Sequence, residues 1–220
     1  VADRINSVRR TRAASPKAAT RRAAGTPEKF TEDRYVGDSL VFIPQLVAEG
    51  RDYVTPGLLP AKSLVLAPHF QASAASLAPF AVIASRLHLV WIATVCGKLK
   101  TDFRYSNTLG WNTFPVPLLT EQNKADLTRC AENILLAREA HFPATIADLY
   151  DPDTMPENLR QAHEHNDEVL ERIYIGRRFK NDTERLEKLF DLYTKMVAKA
   201  STAKPAKAAP AKRAARKAAA

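Results

Sequence analysis

Large apolar side chains are distributed unevenly along this chain of 220 residues. Residues 1–25 are rich in Arg and Ala and contain few large apolar groups, which is typical of either a surface helix or a disordered arm. Residues 30–66 contain short runs of β-type residues, at 39–43 and 63–66, that are separated by Pro and Gly. This pattern predicts short strands joined by tight turns.

The apolar spacing becomes helical between residues 77 and 95, and Gly97 is a natural end for a helix there. Residues 114–117 contain two prolines, which exclude a helix or a central strand because proline lacks the backbone donor. We interpret this segment as an extended connector and a domain boundary.

Helical signals dominate the rest of the chain. Thr120 is a candidate N-cap for a helix that runs to about residue 140, and Thr145 with Asp148 resembles a capping box. Further helices are predicted from Pro156 to Gly176 and over residues 183–199. The three longer helices, with their short connections, are typical of a small bundle.

These elements predict an α+β protein with two domains and a tail. Residues 1–117 are expected to form a domain of mixed strands and helices, and residues 118–200 a helical domain. Residues 201–220 are mostly Ala, Lys and Pro with no large apolar side chain, so they are expected to be disordered.

The net charge of the chain says less about its function than the total suggests, because the charge is unevenly distributed. The chain has 33 Lys and Arg against 24 Asp and Glu, a formal net charge of +9. Residues 1–25 contain seven basic side chains and one acidic one, and residues 201–220 contain six basic side chains and none that is acidic. The body between them is mildly acidic, so the high pI does not by itself indicate a basic nucleic-acid-binding domain.

Several classes of site and location are disfavoured. The two cysteines, Cys96 and Cys130, are far apart and outside any CxxC pattern, which disfavours a zinc site or a disulfide framework and favours a reducing cytoplasm. The most apolar stretch, residues 77–96, includes Arg86 and His88, so we expect no membrane span. The chain begins with Val1, which suggests a cropped or fragmentary sequence.

Motifs for catalysis and cofactor binding are absent from the sequence. The seven glycines include no GxG arrangement or phosphate-binding loop, and no Asn-Pro-Pro-aromatic tetrapeptide occurs. We therefore expect no catalytic residue, no cofactor and no metal in this chain. His163 and His165 are predicted to point in different directions from a solvated helix surface that also carries Asp167, and His88 is predicted to be a core histidine.

One stretch combines basic, aromatic and amide groups. Its candidate contact residues are Arg86, Lys98, Lys100, Asp102, Arg104, Tyr105, Ser106 and Asn107. If the stretch is extended, Lys100 and Asp102 project to the same side. Lys then donates to guanine O6 and N7 and Asp accepts from cytosine N4, which would read one G·C pair. Composition alone favours the alternative, an exposed hairpin with an ion pair.

The same stretch carries a family resemblance. The ordered motifs are ASRLHLVW at 84–91, GKLKTDFRYS at 97–106, NTFPVP at 112–117, LYDPDTMP at 149–156 and LFDLY at 189–193. Together they resemble the target-recognition region and C-terminal helical segment of the MmeI-like DNA methyltransferases. Gly110-Trp111 departs from the family's usual aliphatic-Tyr pair, and Val116 stands where a Trp is common.

The resemblance implies adenine-N6 methylation of a short DNA sequence with S-adenosylmethionine, and base flipping follows from that chemistry. It also implies that Lys100 and Asp102 occupy a variable base-reading position. In this family the cofactor motif, the catalytic tetrapeptide and any nuclease domain lie upstream of the recognition region. The implied partners are double-stranded DNA and a separate or upstream methyltransferase catalytic domain, and this chain alone is expected to be inactive.

Three hypotheses follow. The leading one is a DNA-recognition portion in which Arg86, Lys98 and Arg104 hold phosphates and Tyr105, Ser106 and Asn107 contact or orient the backbone. The second is a nucleoid-associated protein that binds DNA nonspecifically through its basic tail. The third is a decayed gene fragment without activity.

Overall fold

A computed structural model describes residues 1–31, 39–60, 63–73 and 75–203, with side chains up to residue 200. The predicted disordered tail lies outside the described residues from position 204 onward. The protein is α+β, as predicted, and its chain divides into two compact units. One unit comprises Val1–Phe42 and Leu58–Ala75, and the other comprises Ile43–Gly57 and the described residues from Ser76 onward.

The basic N-terminal segment is helical. Helix α1 spans Ala2–Ala13, helix α2 spans Ala18–Arg22, and a 3₁₀ turn follows over Ala23–Gly25. Neither α1 nor α2 buries a residue of its own, because the segment lacks large apolar side chains. Of the two predicted possibilities, the structure therefore has the surface helix and not the disordered arm.

The first sheet contains three short strands in the order β3-β1-β4. Strand β1 is Ser39–Ile43, as predicted, and its partners are β3 (Gly57–Pro60) and β4 (Phe70–Ser73). The predicted strand at residues 63–66 is wrong, since this segment forms the connection between β3 and β4. Its Leu66 is 60% exposed, so its alternating leucines build no buried face.

The second sheet is smaller and has the order β2-β6-β5. Its strands are β2 (Leu46–Val47), β5 (Lys98–Leu99) and β6 (Asp102–Arg104). All pairs are antiparallel, and β5 and β6 are joined directly as a hairpin. A π-helical turn over Asn107–Trp111 follows the hairpin.

The apolar segment before this sheet is two helices instead of the single predicted one. Helix α3 spans Ala78–Ile83 and helix α4 spans Arg86–Val95. The break occurs because Ser85 is extended and its Oγ accepts a hydrogen bond from the backbone N–H of His88 at 3.2 Å. Ser85 is therefore the N-cap of α4.

Four helices complete the chain, namely α5 (Glu121–Glu139), α6 (Ile146–Leu149), α7 (Glu157–Ile175) and α8 (Asp182–Ala203). Their predicted termini are confirmed. Thr120 caps α5, Thr145 and Asp148 form the capping box of α6, and Gly176 ends α7 with a left-handed φ of 76°. Side-chain capping and the left-handed glycine satisfy backbone groups that a helix end leaves unpaired.

The core of the second unit is shared by helices from both sides of the predicted boundary at Pro117. Helix α5 packs against α3 and α7, and helix α8 packs against α4. The largest fully buried side chains here include Trp91, Phe80 and Leu127. Helices α7 and α8 thus hold the helix that leads into the β5–β6 hairpin, and the division at residue 117 stays a prediction. Among the described residues, no helix combines the length and the apolar character that a membrane span requires.

Candidate nucleic-acid interface

The β5–β6 hairpin, residues 98–104, is called the recognition hairpin below. Its register pairs Leu99 with Asp102 and Lys98 with Phe103, and β2 adds the pair of Leu46 with Arg104. Directly paired residues share a face of a sheet, and successive residues along a strand point to opposite faces. The register therefore sorts the side chains of this small sheet into two sets.

One set forms a solvent-exposed surface, which we call the open face: Leu46, Leu99, Asp102 and Arg104. Leu46 and Leu99 are 40% and 51% exposed, and Arg104 is also exposed. The opposite set is Val47, Phe103 and Lys98, of which Val47 is only 1% exposed, Phe103 is half-buried and Lys98 is exposed. The open face thus presents Leu46, Leu99 and Arg104 to solvent together with the half-buried Asp102, whereas the other face is packed at Val47.

Lys100 lies in the two-residue turn of the recognition hairpin. Its φ of 57° is in the left-handed region, which is unfavourable for a residue with a Cβ. The condition under which Lys100 and Asp102 would project to the same side, an extended backbone over residues 100–102, is not met, because the hairpin reverses direction at Lys100 and Thr101; the alternative of an exposed hairpin is the one that the structure has. Lys100 is nevertheless exposed at the hairpin tip, two positions before Asp102, the first residue of β6.

The loop after β2 contacts the hairpin through Glu49. Its backbone N–H donates a long hydrogen bond of 3.4 Å to Asp102 Oδ1, and its carboxylate pairs with Lys98 Nζ at 3.0 Å. Lys98 Nζ also lies 5.0 Å from the centroid of the Phe103 ring. Lys98 therefore already has an anionic and an aromatic partner within the protein, although its side chain is 46% exposed.

Arg86, the first residue of α4, is held by acids from other elements. Its guanidinium donates to both Asp182 oxygens, at 3.3 and 2.7 Å, and pairs with Asp52 at 3.2 Å. Its backbone N–H donates to Asp167 Oδ1 at 2.8 Å. These contacts raise the pKa of Arg86, chiefly through the hydrogen bond with Asp182. They fix α4 to α7 and α8, and a phosphate contact by Arg86 stays a prediction.

The three polar residues after β6 order the backbone. Tyr105 is 1% exposed, and its hydroxyl forms a 3.1 Å hydrogen bond with His88 Nε2. Ser106 Oγ accepts from the backbone N–H of Leu109 and caps the π-helical turn that begins at Asn107. These contacts suit an orienting role, and any DNA contact by these residues stays a prediction.

His88 is a core histidine, as predicted. It is fully buried, and burial lowers its pKa to about 3, so the imidazole is neutral at physiological pH. The rings of Trp111 and Phe114 meet it edge-on. Its Nδ1 has no hydrogen-bond partner within the described part of the chain.

Helix α7 carries buried polar groups that sequence reasoning assigned to a solvated surface. His163 and Asp167 are 0% and 5% exposed, so that expectation is wrong for these two residues, and Asn166 beside them is also fully buried. His163 donates from Nδ1 to the carbonyl of Ala84 at 3.1 Å and accepts at Nε2 from the Tyr150 hydroxyl at 2.7 Å. The signal in the sequence was their position relative to Leu159 and Leu170, which share the buried face.

The expectation that this chain holds no S-adenosylmethionine site stays a prediction. An adenosine site needs a close backbone approach after a strand and a largely apolar slot. Gly110 is the described glycine with close neighbours, and it faces Ile92 and Cys96 in the core and no free space. Surface depressions in the described part are lined by charged and amide groups such as Asp3, Asn6 and Arg10.

Comparisons with known proteins agree on one family. The profile of the MmeI target recognition domain matches residues 1–118, and that of the MmeI C-terminal domain matches residues 119–200. The DNA methyltransferase A of Bacillus subtilis (strain 168) is 35% identical over 196 residues, which are 89% of this chain and 22% of that protein.

Comparison with a solved structure identifies the same family from the fold. The chain resembles the type IIL restriction-modification enzyme MmeI, solved in complex with DNA, with a TM-score of 0.81 and 29% identity. The match covers 90% of this chain and 26% of that one, so the chain spans about a quarter of these relatives. It belongs to the MmeI family and comprises the family's target recognition domain followed by its C-terminal domain.

Proposed function

We propose that this chain reads a short DNA sequence for a site-specific adenine-N6 DNA methyltransferase. The observation that carries the proposal is the recognition hairpin, which presents Lys100 in a left-handed turn near Asp102 within the matched target recognition domain. A side chain held in an unfavourable backbone conformation on an exposed tip is typical of a functional site. The DNA complex of the related MmeI enzyme supports DNA as the ligand.

The recognition hairpin is a two-stranded ribbon, which suits reading of the major groove. A two-stranded ribbon fits the major groove, where each base pair displays a distinct pattern of donors and acceptors. Lys100 donates to guanine O6 and N7, and Asp102 accepts from the N4 amino group of the paired cytosine. Together they specify one G·C pair, and a good pair of such contacts discriminates by about 1–3 kcal/mol.

The other predicted residues divide into two roles. Arg104 on the open face and Lys98 on the edge strand β5 contact phosphates, which fix the register of the protein on the duplex. Arg86, Tyr105, Ser106 and Asn107 orient the hairpin through the contacts described above. Lys98 exchanges its pairing with Glu49 for a phosphate when DNA binds.

Methyl transfer belongs to a catalytic domain outside this chain. That domain binds S-adenosylmethionine and receives the adenine after it has been flipped from the duplex. The recognition chain contributes by fixing which adenine is presented. It has no activity without that partner.

The competing proposal is nonspecific binding through residues 201–220. Selection from a pool of random duplexes distinguishes the two, with the full chain and a variant that ends at residue 200. Our proposal predicts that both proteins enrich the same short motif, because the recognition hairpin is intact in each. Absence of any motif, or its loss together with the tail, would contradict it.

A further inference from the structure

The helices of residues 1–25, which we call the basic pair, carry cations that the fold does not use. Arg12 and Arg21 are structural. Arg12 donates to the carbonyls of Ala23, Thr26 and Lys29 at 3.1, 2.9 and 2.8 Å, and Arg21 donates to those of Ser15 and Pro16 at 2.8 and 2.7 Å. These bonds tie α1 to the turn and α2 to the loop before it.

The remaining cations of the basic pair project into solvent. They are Arg4, Arg9, Arg10, Lys17 and Arg22, all exposed. None of them forms an ion pair with an acid among the described residues, and Asp3 is the one acid in residues 1–25. Arg10 and Arg22 lie in the last turns of α1 and α2, where a cation suits the helix dipole, but Arg4 lies in the first turn, where a cation is disfavoured.

On the C-terminal helices, by contrast, exposed cations form ion pairs with nearby acids. Each of four cations there is paired with an acid three or four positions away on the same helix: Lys124 with Glu121, Arg129 with Asp126, Arg172 with Glu168, and Lys195 with Asp191. Such pairing neutralises a helix surface internally. The basic pair has no such pairing among the described residues, so its surface attracts a polyanion that supplies the missing negative charge.

We propose that the basic pair binds the DNA phosphate backbone and contributes affinity without sequence information. The inference rests on the proposed function, since it takes DNA as the polyanion. The structural arginines fix the two helices against each other, so the solvent-facing cations are held on a preformed scaffold and not on an arm that must order on binding. Phosphate contacts of this kind release counterions and make affinity depend on salt.

The test compares two variants of the full chain that lose the same charge. One carries Arg4→Gln, Arg10→Gln, Lys17→Gln and Arg22→Gln in the basic pair. The matched control carries Lys124→Gln, Arg129→Gln, Arg172→Gln and Lys195→Gln in the C-terminal helices. Affinity is measured by fluorescence anisotropy over a salt series, with a duplex that contains the selected motif and a scrambled duplex of equal length.

The basic-pair variant is expected to lose affinity for both duplexes by the same factor, roughly tenfold or more at low salt. The slope of log K against log salt should fall by about 0.9 for each phosphate that the variant no longer neutralises, while the ratio between the two duplexes is retained. The control should keep the wild-type slope. Thermal unfolding checks that each variant is folded. The basic-pair variant should melt close to wild type, because the described residues offer its substituted cations no ion pair and the loss of Arg10 and Arg22 from the helix C-terminal ends is partly offset by removal of Arg4 from an N-terminal one.

A basic-pair variant with the slope of the wild type or of the control would overturn the inference. A change in the ratio between the two duplexes would also overturn it, because it would mean that these helices read sequence. Failure of the proposed function has a different signature. In that case the wild-type chain binds both duplexes equally, whereas the comparison of slopes still reports on the basic pair.

Discussion

Lys100 adopts a backbone conformation that glycine accepts far more readily than lysine. The strain of about 1 kcal/mol that this imposes is not offset by burial, since the side chain is exposed at the hairpin tip. Two-residue hairpin turns commonly take a positive φ that Gly, Asn or Asp supplies, so a lysine at this position supports the proposal of base reading without establishing it. Sequence reasoning left an extended segment and an exposed hairpin open for this stretch, because both have the same spacing of polar groups.

Replacing Lys100 by glycine should separate the backbone strain at this position from the proposed base reading. Lys100→Gly relieves the strain and is expected to stabilise the chain by roughly 0.5–1 kcal/mol, while the preference at one G·C pair disappears. Lys100→Ala is the matched control, since it also removes the amino group but keeps the left-handed strain. Urea unfolding and duplex selection measure the two effects, and a glycine variant no more stable than the alanine variant would contradict the explanation.

Asp167 makes the stability of the folded protein depend on pH, and the sign of that dependence follows from its burial. Burial raises its pKa to about 7, above the value near 3.9 of an exposed Asp, although the Arg86 N–H opposes the shift. As pH rises, the unfolded state therefore releases its proton first. Stability from the protonated group is present in full below about pH 4 and is lost as pH rises towards 7.

The variant Asp167→Asn should remove this dependence, since the amide oxygen still accepts from the Arg86 N–H. Relative to wild type, it is expected to gain stability between about pH 5 and pH 8, by an amount on the order of a few kcal/mol. Burial lowers the pKa values of His88 and His163, which gives the opposite trend, so only the difference between variant and wild type is informative. Glu164→Gln, exposed on the same helix, is the control and should show no such difference.

At the scale of elements, the π-helical turn after the hairpin depends on Gly110. A Cβ at this position would lie 3.1 Å from Ile92 Cγ2 and 3.3 Å from Cys96 Sγ, in α4 and at its C-terminal end. The turn and α4 are therefore packed so closely that an alanine would require the Ile92 or Cys96 side chain to give way by a few tenths of an ångström.

Gly110→Ala is expected to destabilise the protein by about 1 kcal/mol through overpacking. Gly97→Ala is the matched control, because no atom lies within 4 Å of a Cβ built at Gly97. The control should unfold at nearly the wild-type urea concentration, whereas the Gly110 variant should unfold at a lower one. Equal effects of the two substitutions would contradict the close packing of turn and helix.

Helix ends could be predicted from the sequence where a side chain or a glycine satisfies the terminal backbone groups. Thr120, Thr145 and Gly176 are such cases, and each has its predicted role. The break at Ser85 was not predicted, because apolar spacing continues on both sides of it. Burial of His163 and Asp167 also escaped prediction, since their partners Ala84 and Arg86 are distant in the sequence.

Across the molecule, charged side chains have two different arrangements: those of the second unit are paired with one another, and those of the basic pair face solvent. Acids and arginines of the second unit form an internal chain in which Arg86 pairs with Asp182, Asp182 with Arg185, and Arg185 with the buried Glu171. This chain joins α4, which leads into the recognition hairpin, to α7 and α8. The C-terminal helices therefore support the recognition hairpin, whereas the solvent-facing cations of the basic pair are the ones proposed to contact DNA phosphates.

The central claim is that Lys100 and Asp102 read one base pair, and reversing their chemistry tests it most directly. The double variant Lys100→Glu with Asp102→Arg exchanges donor and acceptor, because Glu accepts from cytosine N4 and Arg donates to guanine O6 and N7. Selection from random duplexes should then return the wild-type motif with one G·C pair inverted to C·G and every other position unchanged. An unchanged motif, or an equal loss of preference at all positions, would contradict the claim.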